Sequence, residues 1–292
     1  MNIIQILDVT LRDGGNRINF DFSDEDLEHI LTPLDESGVE YIEIGYRNGA
    51  IHPSPDLGRA GLCDQQYLHY CHSFIKNAKI AVMAHPQNIT AVDLNELMAC
   101  GVSLLRICVS RGQLAIAIPV VELAKKLGFK VSVNFIHASQ YDTLALADVV
   151  EEVRQVDPDI IYLADSNGSM FPEVVHEIFS RLVLKHPIPL GFHAHDNLGL
   201  AQANTIAAIN AGVRYIDCSL SGMGKGGGNL RTEFFIAYTQ ALNVRKYSLE
   251  TVLPAANYIR KRFKNENETL EMDEFERGIS DLSTAEVKIK YK

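Results

Sequence analysis

The feature that most constrains the fold is a repeated alternation of short runs rich in Val, Ile and Leu with longer stretches that have the apolar spacing of helices. This alternation is typical of parallel β/α units, in which a helix follows each strand and covers the sheet. Eight strands are predicted, at residues 3–10, 41–45, 79–84, 104–109, 130–136, 160–164, 190–195 and 215–219. Eight such units favour an α/β fold of the closed (β/α)8 type over an open doubly wound sheet.

Signals for helix ends lie between the predicted strands. Ser23 and Asp26 are spaced like a capping pair at the start of the first helical stretch. Glycines follow the end of this stretch and of three others and lead into the next strand, as expected for residues that terminate helices. They are Gly38, Gly101, Gly128 and Gly212.

The length of the chain, 292 residues, leaves room for one barrel of about 250 residues and a short extension. We predict a catalytic barrel domain at residues 1–264 and a charged C-terminal extension at residues 265–292. The extension is rich in acidic residues and ends in lysines, and the sequence leaves open whether it is a helical appendage or poorly ordered.

Charge and cysteine content restrict the kinds of partner. The formal net charge of −10 argues against nucleic acid, because phosphate backbones are bound by clustered lysines and arginines. Five scattered cysteines without Cys-x-x-Cys spacing indicate reduced thiols in a cytoplasmic protein. The first apolar run, residues 3–9, is too short to cross a membrane and lacks the basic flank of a signal peptide, so we expect neither a membrane partner nor export.

Two histidines two residues apart, His193 and His195, end the seventh predicted strand. Side chains at this spacing project from the same face of a strand, so both imidazoles can bind one metal ion. The alternative is one hydrogen-bonded core histidine and one surface histidine. Asp13, at the end of the first predicted strand, favours the metal site, because strands 1 and 7 contribute to the same layer of a barrel. For Asp13 the alternative is a structural ion pair with Arg12.

Two further features belong to the same end of the predicted barrel. Glu43 is a carboxylate in the middle of an apolar strand, and its charge requires a partner, for which Arg12 on the neighbouring strand is the obvious candidate. A glycine-rich loop at residues 221–229 follows the eighth strand. Such a loop is compatible with a phosphate cradle, a mobile lid or a simple turn.

These motifs resemble those of the DRE-TIM metallolyase superfamily, which includes hydroxymethylglutaryl-CoA lyase, isopropylmalate and homocitrate synthases, and 4-hydroxy-2-oxovalerate aldolase. The resemblance covers residues 6–233 and rests on Arg12-Asp13-Gly14, His193-Ala194-His195 and the glycine-rich loop, in the same order. It implies a TIM barrel and a divalent cation, Mg²⁺ or Mn²⁺.

The resemblance also implies roles for single residues. Asp13, His193 and His195 match the metal ligands, and Asn229, which closes the glycine-rich loop, matches a position that ligates or supports the metal. Arg12 matches an arginine that steadies an enolate oxygen and touches the substrate. Glu43 matches a catalytic-site glutamate beside it.

Departures from the family patterns bear on the reaction. The aldolase has a histidine acid/base shortly after Arg-Asp-Gly, where this chain has Asn16, and the CoA lyase has a cysteine in its glycine loop, where this chain has none. The opening motif is most similar to the short aldolase-like proteins of the superfamily. We therefore predict a metal-dependent aldolase or lyase that works through a pyruvate-type enolate. An acyl-CoA-dependent synthase and a non-catalytic barrel relative are the alternatives.

Side chains at other C-terminal strand ends are candidates for proton transfer and substrate contact, because active sites of this fold lie at that face. The predicted catalytic residues there are His85 and Asp165, and the predicted substrate contacts are Tyr46, His137 and Ser166. Arg106 and Arg111 either hold a substrate carboxylate or form ordinary ion pairs. The expected partner is a small 2-oxo acid, and the sequence leaves a homo-oligomer open.

Overall fold

A computed structural model of the chain describes residues 4–50, 54, 56–141, 143–263, 280–283 and 285–287. Eight parallel strands form a closed barrel in which neighbours in the chain pair with one another and β8 pairs with β1. The predicted (β/α)8 barrel is confirmed. The strands are β1 (Gln5–Asp8), β2 (Tyr41–Tyr46), β3 (Lys79–Ala84), β4 (Leu104–Val109), β5 (Lys130–Phe135), β6 (Ile160–Asp165), β7 (Leu190–Ala194) and β8 (Tyr215–Cys218).

Helices surround the barrel and connect its strands. In the described part of the chain they are α1 (Asp24–Glu36), α2 (Arg59–Leu62), α3 (Gln65–Phe74), α4 (Ala91–Ala99), α5 (Leu114–Lys126), α6 (Thr143–Arg154), α7 (Pro172–Lys185), α8 (Ala201–Asn210), α9 (Thr232–Ala241) and α10 (Leu249–Arg262). Short 3-10 helices, Gly14–Ile18, Ala138–Gln140 and Leu220–Gly222, follow β1, β5 and β8. They build the loops at the C-terminal end of the barrel, where the candidate site lies.

The first helix begins and ends where the sequence predicts. Ser23 and Asp26 form a capping box, in which each side chain accepts a hydrogen bond from the backbone N–H of the other residue. Gly38 follows the helix with a φ of +91°, and a Cβ at this position would lie 2.6 Å from the carbonyl oxygen of Lys246. Only glycine satisfies both the backbone angle and the close approach.

The first strand is shorter than predicted. It ends at Asp8 rather than Thr10, because the Asp8 carboxylate accepts a hydrogen bond from the Thr10 N–H at 2.9 Å and the chain then turns. The N–H of Asp13 donates to the carbonyl oxygen of Val9 at 2.8 Å and closes that turn. Asp13 therefore reaches the barrel mouth through a turn and not at the end of the strand. Ile3, the predicted first residue of this strand, lies outside the described residues.

The interior of the barrel changes character along its axis. Lys130 begins β5, and its Nζ lies 3.0 Å from the Tyr41 hydroxyl and 2.9 Å from the Tyr215 hydroxyl, at the N-terminal ends of β2 and β8. Above these residues lies a small apolar cluster that includes Leu7, Val9, Ala81, Leu104, Ile160 and Tyr162. The larger core packs the strands against the helices. The N-terminal half of the barrel is thus filled, which leaves the C-terminal half for polar groups.

Most of the predicted extension at residues 265–292 lies outside the described residues, and the division at residue 264 stays a prediction. In the part that is described, residues 280 and 285–287 are helical and Val287 is buried. Among the described helices, none has both the length and the apolar character needed to cross a bilayer. The five cysteines are buried and free, as predicted.

Candidate active site

Asp13, His193 and His195 converge at the C-terminal end of the barrel. One ligand-type atom from each lies within 4.8 Å of the others, and all three residues are buried. The two histidine Nε2 atoms are 3.3 Å apart, and Nε2 of His195 is 4.0 Å from Oδ2 of Asp13. His193 lies in β7 and His195 directly follows that strand, so their side chains face the same side. The structure thus brings the three predicted ligands together.

The outer nitrogen of each imidazole faces hydrogen-bond acceptors. Nδ1 of His193 is 3.1 Å from Oδ2 of Asp217. Nδ1 of His195 is 3.0 Å and 3.2 Å from the carbonyl oxygens of Lys225 and Gly228. Because these oxygens accept, each neutral ring carries its proton on Nδ1 and presents a lone pair at Nε2. Two lone pairs and a carboxylate then face one another, which a bound cation stabilises.

Asn229 supports Asp13 from the glycine-rich loop. Its Nδ2 donates to Oδ2 of Asp13 at 3.0 Å and to the carbonyl oxygen of Met223 at 3.2 Å. Its buried Oδ1 has no hydrogen-bond partner in the described part of the chain. Gly224 packs against this pair, since a Cβ there would lie 2.3 Å from Nδ2 of Asn229 and 2.8 Å from Oδ2 of Asp13. The loop therefore fits closely around the candidate metal ligands.

Backbone hydrogen bonds fix the same loop to two neighbouring segments. The N–H of Lys225 donates to Oδ2 of Asp13 at 3.2 Å. The N–H of Gly227 donates to Oδ1 of Asn197 at 2.9 Å. These contacts join the loop to the turn after β1 and to the segment after β7. The glycine-rich loop is thus a support of the candidate metal site.

A buried cluster of charges lies beneath the candidate metal ligands. Nε of Arg12 is 2.7 Å from Oε2 of Glu43, as predicted, and Nη1 of Arg12 is 2.7 Å from Oδ1 of Asp13. Arg106 lies 3.0 Å from Glu43 and 2.7 Å from Asp217. Two guanidinium groups thus face three carboxylates, which leaves one negative charge in excess. A divalent cation at the candidate ligands would change this single net negative charge into a single net positive charge.

The arginines keep the buried carboxylates ionised. Burial has the largest single effect and raises the pKa of Asp13, but the Arg12 guanidinium, the two histidines and the hydrogen bond from Asn229 together outweigh it and hold that pKa well below its usual value. Burial likewise opposes ionisation of Asp217, and the charge of Arg106, the contact with His193 and the charge of Arg12 together outweigh it, so the pKa of Asp217 is also lowered. Both groups are therefore anionic at physiological pH, as a metal site and its support require.

The sequence prediction misses Asp217 as a site residue. The sequence contains a signal for Asp217, because this carboxylate lies in the apolar strand β8. As for Glu43, a charge in such a strand requires a partner. Arg106 is fully buried, and its guanidinium pairs with both of these carboxylates. Two alternatives were predicted for Arg106, a contact with a substrate carboxylate or an ordinary ion pair. The structure shows the ion pair, inside the barrel.

A cavity of about 490 Å³ opens onto the candidate metal ligands. Its wall includes most of the predicted catalytic and substrate-contacting residues: Arg12, Tyr46, His85, His137 and Ser166. Asn16, at the position of the aldolase histidine, also lines it. Three other predicted site residues, Glu43, Asp165 and Asn229, are described by the structure but do not line this cavity.

His85 combines burial with a place on the cavity wall. Its ring stacks on Tyr46 with centroids 5.8 Å apart and an interplanar angle of 15°. Burial, followed by the charge of Arg12, lowers the pKa of His85 to about 4. Nδ1 has no hydrogen-bond partner among the described residues. The ring is therefore neutral at pH 7, and one of its nitrogens carries a lone pair.

Asp165, the other predicted catalytic residue at a strand end, is hydrogen-bonded to the loop that follows its strand. Its carboxylate oxygens accept hydrogen bonds from the N–H groups of Ser169 and Met170, both at 3.0 Å. Burial raises its pKa to about 6. These contacts make Asp165 an anchor of the loop after β6. The neighbouring Ser166 accepts a hydrogen bond from the His137 N–H at 2.9 Å, and both of these residues line the cavity.

The sequence model of the HMGL-like family matches residues 3–259, which is most of the chain. The chain belongs to the HMGL-like family. The predicted superfamily is thereby confirmed.

Relatives of this HMGL-like chain include two named enzymes. It is 32% identical over 235 residues to an oxaloacetate decarboxylase of Mycobacterium tuberculosis, which covers 80% of this chain and 69% of the relative. It is 33% identical over 257 residues to a 4-hydroxy-2-oxovalerate aldolase of Geobacillus genomosp. 3, which covers 88% and 76%. Both names are those of carbon–carbon lyases, so the predicted enzyme class is confirmed.

A solved structure is also similar to this HMGL-like chain. It is the N-terminal domain of a candidate aldolase from Bacteroides vulgatus, with a TM-score of 0.84 and 27% sequence identity. The match covers 99% of this chain and 96% of that domain. The fold is therefore shared over nearly the whole length of both chains.

Proposed function

We propose that this chain is a divalent-metal-dependent aldolase or lyase that breaks or forms the carbon–carbon bond of a substrate yielding pyruvate or a similar 2-oxo acid. The observation that carries the proposal is the convergence of Asp13, His193 and His195 with Arg12 at one cavity. The names of the two relatives, an oxaloacetate decarboxylase and a 4-hydroxy-2-oxovalerate aldolase, support it. Both kinds of substrate release pyruvate through its enolate.

The donor set fits a divalent cation. Two imidazole Nε2 lone pairs and one carboxylate face a common point, and the buried Oδ1 of Asn229 has no partner in the described part of the chain. Mixed nitrogen and oxygen donors suit several ions. Following the family resemblance, we propose Mg²⁺ or Mn²⁺. When bound, such an ion supplies a Lewis acid for the carboxylate and carbonyl oxygens of a 2-oxo acid.

Arg12 supplies fixed positive charge at the same place. Its guanidinium is held by Glu43 and Asp13, and the residue lines the cavity. Because both partners are buried, the guanidinium does not have to reorient as charge develops on the enolate oxygen. We assign Arg12 to stabilising that oxygen and Glu43 to positioning Arg12.

His85 is the candidate for the proton transfer. In aldol cleavage, an imidazole nitrogen of His85 takes the proton of the substrate hydroxyl, the hydroxyl carbon becomes an aldehyde carbonyl, and the electrons of the broken bond enter the enolate. The neutral ring and its place on the cavity wall support this role. Asn16 lines the same cavity but has no titratable group, so it cannot serve as the base.

Decarboxylation is a second candidate, favoured by two observations. Loss of CO₂ from a 2-oxo diacid forms the same enolate without a base for a hydroxyl proton, and Asn16 stands where the aldolase has its histidine. The relative named oxaloacetate decarboxylase points the same way. Incubation with oxaloacetate and with 4-hydroxy-2-oxovalerate, in parallel, separates the two reactions.

Deuterium incorporation into pyruvate tests the shared enolate. We expect the enzyme with Mg²⁺ or Mn²⁺ in heavy water to exchange the pyruvate methyl protons faster than buffer and metal alone, as measured by mass spectrometry. The variant Arg12→Lys keeps the charge of the buried cluster but loses the fork-shaped contact, and the rate should fall about 100-fold.

Two controls accompany this experiment. Arg154→Lys changes an exposed ion pair on α6 and should leave the exchange rate unchanged, while circular dichroism verifies the fold of both variants. Absence of enzyme-dependent exchange with pyruvate and 2-oxobutyrate, with and without acetaldehyde, together with no turnover of oxaloacetate, would show the proposal to be wrong.

A further inference from the structure

The described residues of the C-terminal extension, 280–283 and 285–287, lie on the mouth of the barrel; we call them the C-terminal segment. Oδ1 of Asp281 accepts three hydrogen bonds, from Oγ of Ser139 at 2.6 Å and from Nδ2 of Asn167 and Oγ of Ser169 at 2.7 Å each. Its carbonyl oxygen accepts another from Nε2 of Gln140 at 2.9 Å. A single residue thus ties the segment to the loops after β5 and β6.

The C-terminal segment also forms part of the cavity wall. Ser283 and Ala285 line the same 490 Å³ cavity as the candidate metal ligands. Val287, at the end of the segment, is only 2% exposed, and the N–H of Val287 donates to the carbonyl oxygen of Ser283 at 3.1 Å. The segment is therefore packed onto the barrel through Val287, while the half-buried Ser283 and the exposed Ala285 form part of the cavity wall on the solvent side.

A short chain of hydrogen bonds links the anchor to another cavity residue. Asn167 donates from Nδ2 to Asp281, and its Oδ1 lies 3.2 Å from Nδ1 of His137. His137 lines the cavity as well. Displacement of Asp281 would therefore release one contact of a residue that faces the substrate.

We propose that the C-terminal segment determines which second substrate the enzyme accepts, with Ser283 and Ala285 as the specificity-determining residues and Asp281 as their positioning residue. This inference rests on the proposed function. The 2-oxo acid occupies the metal ligands and Arg12, so the aldehyde carbon chain must extend away from them, towards the mouth. Small side chains at the wall leave room for that chain, and larger ones exclude it.

The first test enlarges the wall. Ala285→Leu should lower kcat/KM for hexanal about tenfold or more relative to acetaldehyde in aldol addition to pyruvate, because one or a few methylene groups change fit by such factors. Deuterium exchange into pyruvate should stay within about twofold of wild type. The matched control is Ala99→Leu, which adds the same side chain at an exposed position at the end of α4.

The second test removes the anchor. Asp281→Ala should raise the KM for aldehydes and weaken the discrimination between acetaldehyde and hexanal, with little change in kcat or in pyruvate exchange. Asp157→Ala is the matched control, because Asp157 is exposed and has a φ of +49°, close to the +52° of Asp281. Asp281→Asn should restore much of the wild-type profile, since its amide oxygen still accepts hydrogen bonds.

The outcomes separate the two proposals. If wild type shows no pyruvate exchange, no aldol addition and no turnover of oxaloacetate, the proposed function is wrong and the specificity assignment is overturned with it. If wild type decarboxylates oxaloacetate but adds no aldehyde to pyruvate, the function stands and the specificity assignment is overturned alone. If wild type is active and Ala285→Leu and Asp281→Ala both keep the wild-type aldehyde profile, the function stands and the role of the C-terminal segment is refuted. A changed profile with unchanged exchange supports the role.

Discussion

His85 is a histidine of the cavity wall whose environment differs strongly from that of a histidine at the surface. A base in aldol cleavage must be neutral before the reaction, and burial keeps this ring neutral. We expect His85→Gln to lower the rate of 4-hydroxy-2-oxovalerate cleavage about 100-fold or more. Oxaloacetate decarboxylation, which needs no such base, should change little. An equal loss in both reactions would contradict a role in proton transfer.

The lowered pKa of His85 also makes the free energy of unfolding depend on pH in a defined direction. The folded ring titrates at about 4, against 6.5 for the unfolded ring, so the unfolded chain binds the proton more readily. The stabilisation is complete above pH 6.5 and is lost as the pH falls towards 4. Below both pKa values the free energy of unfolding should be lower by on the order of 3 kcal/mol than above pH 6.5. Comparing the pH dependence of urea unfolding for wild type and His85→Gln isolates this contribution.

Single residues also show what the sequence can reveal. Asp13, His193 and His195 were predicted because spacing and strand ends are local patterns, and the structure brings them together. Asp217 obeys the same burial rule as Glu43 but was missed. Asp281 had no local signal at all, since its three donors lie more than 100 positions away in the chain.

The glycine-rich loop is the element that shapes the metal site most directly. Gly224→Ala would place a methyl group against Asn229 and Oδ2 of Asp13, which should displace both. Because such supporting contacts tune affinity, we expect Mn²⁺ to bind about 10- to 100-fold more weakly, as measured by calorimetry.

Gly112→Ala is the control for this prediction. A Cβ there meets nothing within 4 Å, although its φ of +80° adds backbone strain that Gly224→Ala does not. Unchanged Mn²⁺ affinity in Gly224→Ala would argue against the close fit of the loop around the ligands.

Elements were predicted more reliably than their ends. The eight strands and the start of α1 follow from alternating apolar runs and a capping pair, which are short-range signals. The first strand stops at Asp8, because a side-chain contact with Thr10 competes with the strand ladder. The placement of the C-terminal segment depends on contacts across the whole barrel, which no local pattern encodes.

At the scale of the whole molecule, the buried charge excess predicts that metal stabilises the fold. A cation that binds only the folded chain adds about 2.7 kcal/mol when its concentration is 100 times its dissociation constant. We therefore expect the unfolding temperature to rise with Mn²⁺ in wild type but not in Asp13→Asn. Asp148→Asn, on α6, should keep the wild-type response. A metal response that survives in Asp13→Asn would place the cation elsewhere.

The floor of the barrel has a kinetic consequence. Lys130, Tyr41 and Tyr215 close its N-terminal end, so the described part of the molecule offers the cavity a path to solvent at the mouth alone. Two reactants that share one path must enter and leave the cavity one after the other. For the proposed reaction, pyruvate lies deeper in the cavity than the aldehyde, so in synthesis pyruvate must bind first and the aldehyde second. In cleavage the order is reversed, and the aldehyde must leave before pyruvate.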